Sequence, residues 1–129
     1  MEKLVFIGLG GFLGSIARYG LTSLVQTKTE SLFPYGTMLV NILGCFIIGL
    51  LMTLFQERIV VSQNVRFFLI IGILGGFTTF SSFSYDTFAM MKSGNFFGAG
   101  LNTGVSLFGC LIATWAGFYA GEIFSSNKF

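Results

Sequence analysis

From Ser31 to Gln56 the chain carries no charged residue, and its stretch Met38–Phe55 (MLVNILGCFIIGLLMTLF) is almost wholly apolar. A helix needs roughly 20 apolar residues to cross a hydrocarbon core of about 30 Å. The same pattern recurs three times. Leu4 to Val25 is interrupted only by Arg18, Phe67 to Met91 only by Asp86, and Ser93 to Gly121 by no charge at all. Only 9% of the residues are charged, against roughly 25% in a soluble domain. That is too little polar surface for a water-soluble monomer. The chain is therefore read as an all-α membrane protein with four transmembrane helices, about Lys3–Gln26, Phe33–Gln56, Asn64–Met91 and Asn95–Ser125.

The connections are short and hold most of the remaining charges. The sole proline, Pro34, suits the start of the second span. Residues 1–129 thus form one domain, and its work is expected inside the membrane. A cleaved signal peptide is disfavoured, because Gly8, Gly10, Gly11 and Gly14 break the first apolar run and Arg18 belongs to it. The cations give little orientation. With the N-terminus inside, Lys3, Arg58, Arg66 and Lys128 face Lys28 and Lys92 across the bilayer, and Arg18 weakens the asymmetry further. Insertion in both orientations and a single orientation set by a small bias both fit.

Much chemistry is excluded at once. There is no His, and the two cysteines, Cys45 and Cys110, sit inside apolar runs. Imidazole acid–base catalysis, most zinc sites and a disulfide framework are removed, so no enzyme is expected. A net charge of +2 implies no nucleic-acid partner. The glycines of the first span superficially resemble a dinucleotide loop but lack its third glycine spacing and a preceding strand. The 18 glycines are better read as helix contacts. Gly10–Gly14, Gly72–Gly76, Gly94–Gly98, Gly100–Gly104 and Gly117–Gly121 are i, i+4 pairs, and small residues let helix backbones approach in lipid. They serve packing within one four-helix unit, contact between subunits, or both.

Polar groups inside a membrane are expensive, so each is a candidate. Asn41 in the second span offers a pathway amide or an interhelical hydrogen bond. The third span carries Gly75-Gly76-Phe77-Thr78-Thr79-Phe80-Ser81-Ser82-Phe83-Ser84, five hydroxyls and two adjacent glycines at mid-membrane depth. A break there would turn carbonyls toward a cation and N–H groups toward an anion; the alternative is a kinked helix with hydroxyls bonded back on its own carbonyls. Phe80 and Phe83 share a face, and ring edges are electropositive. In the fourth span Asn102, Ser106, Cys110 and Thr114 repeat every four residues as one polar stripe.

Three of these elements together resemble the Fluc (CrcB) fluoride channels: Gly75 to Phe83, Val40-Asn41-x-x-Gly44, and Gly10-Gly11-x-x-Gly14 followed by Arg18-Tyr19. The likeness spans essentially the whole chain. It implies an antiparallel, dual-topology homodimer in the cell membrane, with two fluoride pathways and a structural Na⁺ at the dimer centre. It assigns the Na⁺ to the backbone carbonyls of Gly75 and Thr78, and the fluoride pathway to Asn41, Phe80, Phe83, Ser106, Cys110 and Thr114. Arg18 matches a basic vestibule residue, with a snorkelling arginine as the alternative. Two positions depart from the family pattern: Ser82 stands for Thr and keeps the hydroxyl, while Asp86 stands for Glu and is one methylene shorter.

The expected activity is passive, selective export of F⁻. A small proton-coupled multidrug transporter is the competing reading. It requires a carboxylate in the substrate chamber, commonly in the first helix, where this chain has only Glu2 at the start. A membrane assembly subunit that moves no ion is the third.

Overall fold

The computed structural model describes residues 1–57 and 59–127; Arg58 and Lys128, two of the cations counted on the inner side, lie outside the described residues. Four helical spans appear where the charge-free runs place them. They are α1 (Glu2–Thr29), α2 (Tyr35–Glu57), a third span in two pieces, and α5 (Phe96–Ser126). The third span begins as α3, which runs from Gln63–Arg66 through a wide, π-helical stretch Phe67–Leu74 into Gly75–Phe77. It resumes as α4 (Phe80–Lys92). The shortest apolar span is 22 residues, which at 1.5 Å per residue is about 33 Å, enough for the hydrocarbon core.

The ends are set by local chemistry. The first helix runs three residues past its expected end because Glu30 takes the left-handed conformation (φ 48°) that stops it. The Gln26 side chain then gathers the connection. Its amide donates to the carbonyls of Ser31 (2.5 Å) and Phe33 (3.0 Å), and its oxygen accepts from Gly36 N–H. Pro34 stands just before α2, where its carbonyl accepts from Met38 N–H. Asn95 caps α5 by accepting from Gly98 N–H at 2.9 Å.

Packing follows the glycines. α1 lies against α3, and a methyl on Gly10 would meet the backbone of Gly72 at 2.9 Å. One on Gly76 would meet the Gly11 carbonyl at 2.6 Å. α2 lies against α5, where Gly117 sits on the Phe46 carbonyl and Gly121 on the Thr53 side chain, with its Cβ position 2.7 Å away. Three of the five predicted pairs therefore close contacts inside one chain. Gly100 and Gly104 instead face open space on the outer side of α5.

The break in the third span falls on Thr78 and Thr79, not on the glycine pair. Both threonines are extended (φ −92°, ψ 152°; φ −148°, ψ 113°), whereas Gly75 and Gly76 remain helical. The reason is division of labour. The glycines are needed for contact with α1, and the threonine hydroxyls satisfy the freed backbone. Thr78 Oγ1 donates to the Leu74 carbonyl (3.0 Å), and Thr79 Oγ1 accepts from Ser82 N–H (3.2 Å) as the cap of α4.

Candidate functional site

The broken span opens onto one cavity of about 450 Å³ between α2, α3, α4 and α5. Asn41, Phe80, Phe83, Ser106, Cys110 and Thr114 all line it, and so do Gly75 and Thr78. Eight of the nine residues to which the resemblance assigns a role thus share one wall system. The ninth, Arg18, reaches the same break from behind.

Asn41 is the fastener of the break. Its Oδ1 accepts from Thr79 N–H at 2.7 Å and its Nδ2 donates to the Thr79 carbonyl at 3.0 Å. The amide reads the extended peptide as a neighbouring strand would. One N–H of its two remains for the cavity. Asn41 is therefore an interhelical bond and a cavity-lining amide together, two readings the sequence kept apart.

The diverted bonds decide which carbonyls the break leaves. In an unbroken helix Thr79 N–H would bond the Gly75 carbonyl and Ser82 N–H the Thr78 carbonyl. Here the first goes to Asn41 and the second to Thr79 Oγ1. The break leaves all four carbonyls from Gly75 to Thr78 without their helical donors, and Gly75 and Thr78 are the two whose donors go to side chains. The intervening Gly76 carbonyl accepts from Arg18 Nε at 2.9 Å. Arg18 thus bonds to the break through its Nε. Among the described residues no group of three or more His, Cys, Asp or Glu side chains gathers to hold a metal. A cation at the break would rest on backbone oxygens. Such hard oxygen donors suit a hard cation like Na⁺.

On the opposite wall the hydroxyls are partly committed. Thr114 Oγ1 donates to the Cys110 carbonyl at 3.0 Å, a firm bond within α5. Ser106 Oγ donates to Asn102 Oδ1 at a longer 3.3 Å. Asn102 itself is 1% exposed and does not line the cavity. Its Nδ2 donates to Thr87 Oγ1 (2.9 Å), which in turn donates to the Phe83 carbonyl (2.8 Å). The polar stripe therefore splits. Asn102 ties α5 to α4, and Ser106, Cys110 and Thr114 face the cavity.

Phe80 and Phe83 are stacked obliquely, with ring centroids 5.4 Å apart and planes 48° apart. Phe80 is 79% exposed in the single chain, so its ring stands at the open side of the cavity. The N-terminus of α4 begins at the same place, and its partial positive charge favours an anion there. Asp86 lies one turn beyond Phe83 against the Thr37 hydroxyl of α2.

Cys45 also lines the cavity, and the sequence reading passed over it. Its signal was its position one turn after Asn41 on the same face of α2. Thr79 was likewise overlooked, being one hydroxyl in a run of several.

The family model for CrcB-like protein, Camphor Resistance (CrcB), matches residues 5–118. A Geobacter sulfurreducens protein named fluoride-specific ion channel FluC is 45% identical over 122 residues, covering 95% of this chain and 98% of its own. Proteins of the same name from Opitutus terrae (43% over 130 residues, 99% and 98% covered) and Nitratidesulfovibrio vulgaris (39% over 123 residues, 95% and 99% covered) are similarly matched.

Proposed function

The chain belongs to the CrcB-like family, and from that premise we propose that it is a passive fluoride channel whose pathway is the cavity beside the Thr78–Thr79 break. It is a multi-pass protein of the plasma membrane, and its relatives are named as channels; it is not an enzyme. The observation that carries the assignment is the convergence of Asn41, Phe80, Phe83, Ser106, Cys110 and Thr114 on one cavity.

The lining explains how F⁻ is handled with few fixed charges. Moving an ion from water into a low-dielectric site requires replacement donors. The second Asn41 N–H, the Ser106 hydroxyl, the Cys110 thiol and the electropositive edges of Phe80 and Phe83 supply them, with the α4 N-terminus behind. None binds tightly enough to trap the ion, and passage requires weak sites in sequence. Arg18 serves at the break in this reading, and its vestibule role is electrostatic attraction of anions toward it.

The working unit is an antiparallel homodimer with two such pathways. The weak orientation bias of the cations supports insertion in both directions, and a second chain over Phe80 would close the open side of the cavity. The carbonyls of Gly75 and Thr78 from both chains would hold a Na⁺ at the centre, which would supply positive charge there. Those carbonyls fit, having lost their helical donors.

The test is ion efflux from liposomes holding only the purified protein, read with a fluoride electrode and repeated with Cl⁻. Fast F⁻ efflux with Cl⁻ retained is expected. Absence of F⁻ efflux, or equal passage of both ions, overturns the assignment.

A further inference from the structure

Cys45 on α2 and Cys110 on α5 are free thiols on two helices packed against each other. Both line the cavity. Their helices are held close on either side of the pair. Gly109 receives Ile42 at 3.1 Å before it, and Gly49 takes the Thr114 carbonyl and Phe118 N–H (3.0 Å) after it. Neither helix can swing away without losing those contacts.

We propose that Cys45 and Cys110 form a two-thiolate site for a soft, linearly coordinating divalent ion, Hg²⁺ being the representative. Soft sulfur ligands select soft metals. Tetrahedral ions such as Zn²⁺ require four ligands, and this chain has no His and no third Cys. Charge balance then selects among linear ions. Two thiolates around Hg²⁺ make a neutral unit, whereas Ag⁺ or Cu⁺ leaves a net negative charge, costly in an apolar cavity. The step is balanced: both S–H bonds break, two S–Hg bonds form, and two protons leave to water. Occupancy narrows the cavity one turn along α2 from Asn41 and blocks it. That consequence rests on the channel reading, but the site does not.

Binding is therefore measured apart from transport. The protein, in chloride-free detergent buffer, receives one equivalent of mercuric acetate per chain. It is then unfolded and alkylated, and its intact mass is read. Protection of both thiols by one ion is expected. Protection of a single thiol per ion overturns the site. In C45S or C110S the remaining mercury should be stripped by a monothiol wash that wild type resists; equal resistance also overturns it. Mixed C45S and C110S chains should stay unprotected, and joint protection would place the bridge between copies and refute a site within one chain. In liposomes the same ion should abolish F⁻ efflux from wild type. Wild-type efflux that persists with both thiols occupied refutes the blockade alone.

Discussion

Asn41 and Thr79 form a reciprocal pair in which one side-chain amide holds both polar atoms of one peptide unit, at 2.7 Å and 3.0 Å. The pair joins α2 to the only extended residues of the third span. It makes the break a built feature: the carbonyls of Gly75 and Thr78 are left without helical donors because the N–H groups have been taken elsewhere.

Replacing Asn41 separates its two bonds. Asn41→Ala leaves the Thr79 N–H and carbonyl both unpaired, at about 1–3 kcal/mol for a buried group. Asn41→Asp keeps the acceptor for Thr79 N–H but sets a carboxylate oxygen against the Thr79 carbonyl. Both variants should lose F⁻ efflux in liposomes, and thermal unfolding in detergent should show the larger fall for Asp. An Asn41→Ala protein of wild-type stability would contradict the clasp.

The four helical spans were legible because charge placement is a local quantity, whereas the end of α1 waited on the left-handed Glu30. The convergence of the site was legible only through the resemblance, since no spacing rule brings Asn41, Phe83 and Thr114 together. The exact break was not legible. Gly75-Gly76 advertises weakness by propensity, but contact with α1 holds it helical. Thr78 and Thr79 yield instead, because their hydroxyls and Asn41 compensate for the lost ladder. Arg18 was readable as an anomaly, yet its partner Gly76 lies 58 residues away.

Arg18 offers a second test. Its Nε–H is the donor to the Gly76 carbonyl at 2.9 Å, and a hydrogen bond from a charged donor contributes about 1.5–3 kcal/mol. Arg18→Ala should lower the unfolding temperature and slow F⁻ efflux. Arg18→Lys keeps the charge but presents a shorter, differently directed donor, so it should recover the efflux dependence on ionic strength and only part of the stability. Equal stability for Lys and Arg would remove the bond as the cause.

Glycine packing predicts an asymmetry along α5. A methyl at Gly117 meets the Phe46 carbonyl and, at 3.0 Å, the Leu50 nitrogen, whereas one at Gly104 meets nothing within 4 Å. Gly117→Ala must push α2 and α5 apart, with an overpacking cost of about 1–3 kcal/mol. Gly104→Ala should leave chain stability within about 0.5 kcal/mol, as for substitutions away from packed features. Thermal melts of the two variants in the same detergent make the comparison. If Gly104→Ala instead disrupts oligomers in crosslinking while the fold persists, that open face is the one a second chain covers.

Along the hydroxyl wall the predicted order is set by how firmly each proton is already held. A hydroxyl has one proton to give. Thr114 spends it on the Cys110 carbonyl at 3.0 Å within its own helix, and Ser106 spends it on Asn102 Oδ1 at 3.3 Å. Turning toward F⁻ costs Ser106 the weaker bond, and Asn102 keeps its tie to Thr87 when Ser106 turns. Ser106 should therefore be the working donor and Thr114 mainly a wall. Ser106→Ala is expected to slow F⁻ efflux by about tenfold, the equivalent of one lost hydrogen bond of about 1.4 kcal/mol. Thr114→Val, which keeps shape and removes the hydroxyl, should change the rate by less than about threefold. Measured side by side in liposomes, the reverse order would mean that Thr114 releases its helical bond to the ion and Ser106 does not.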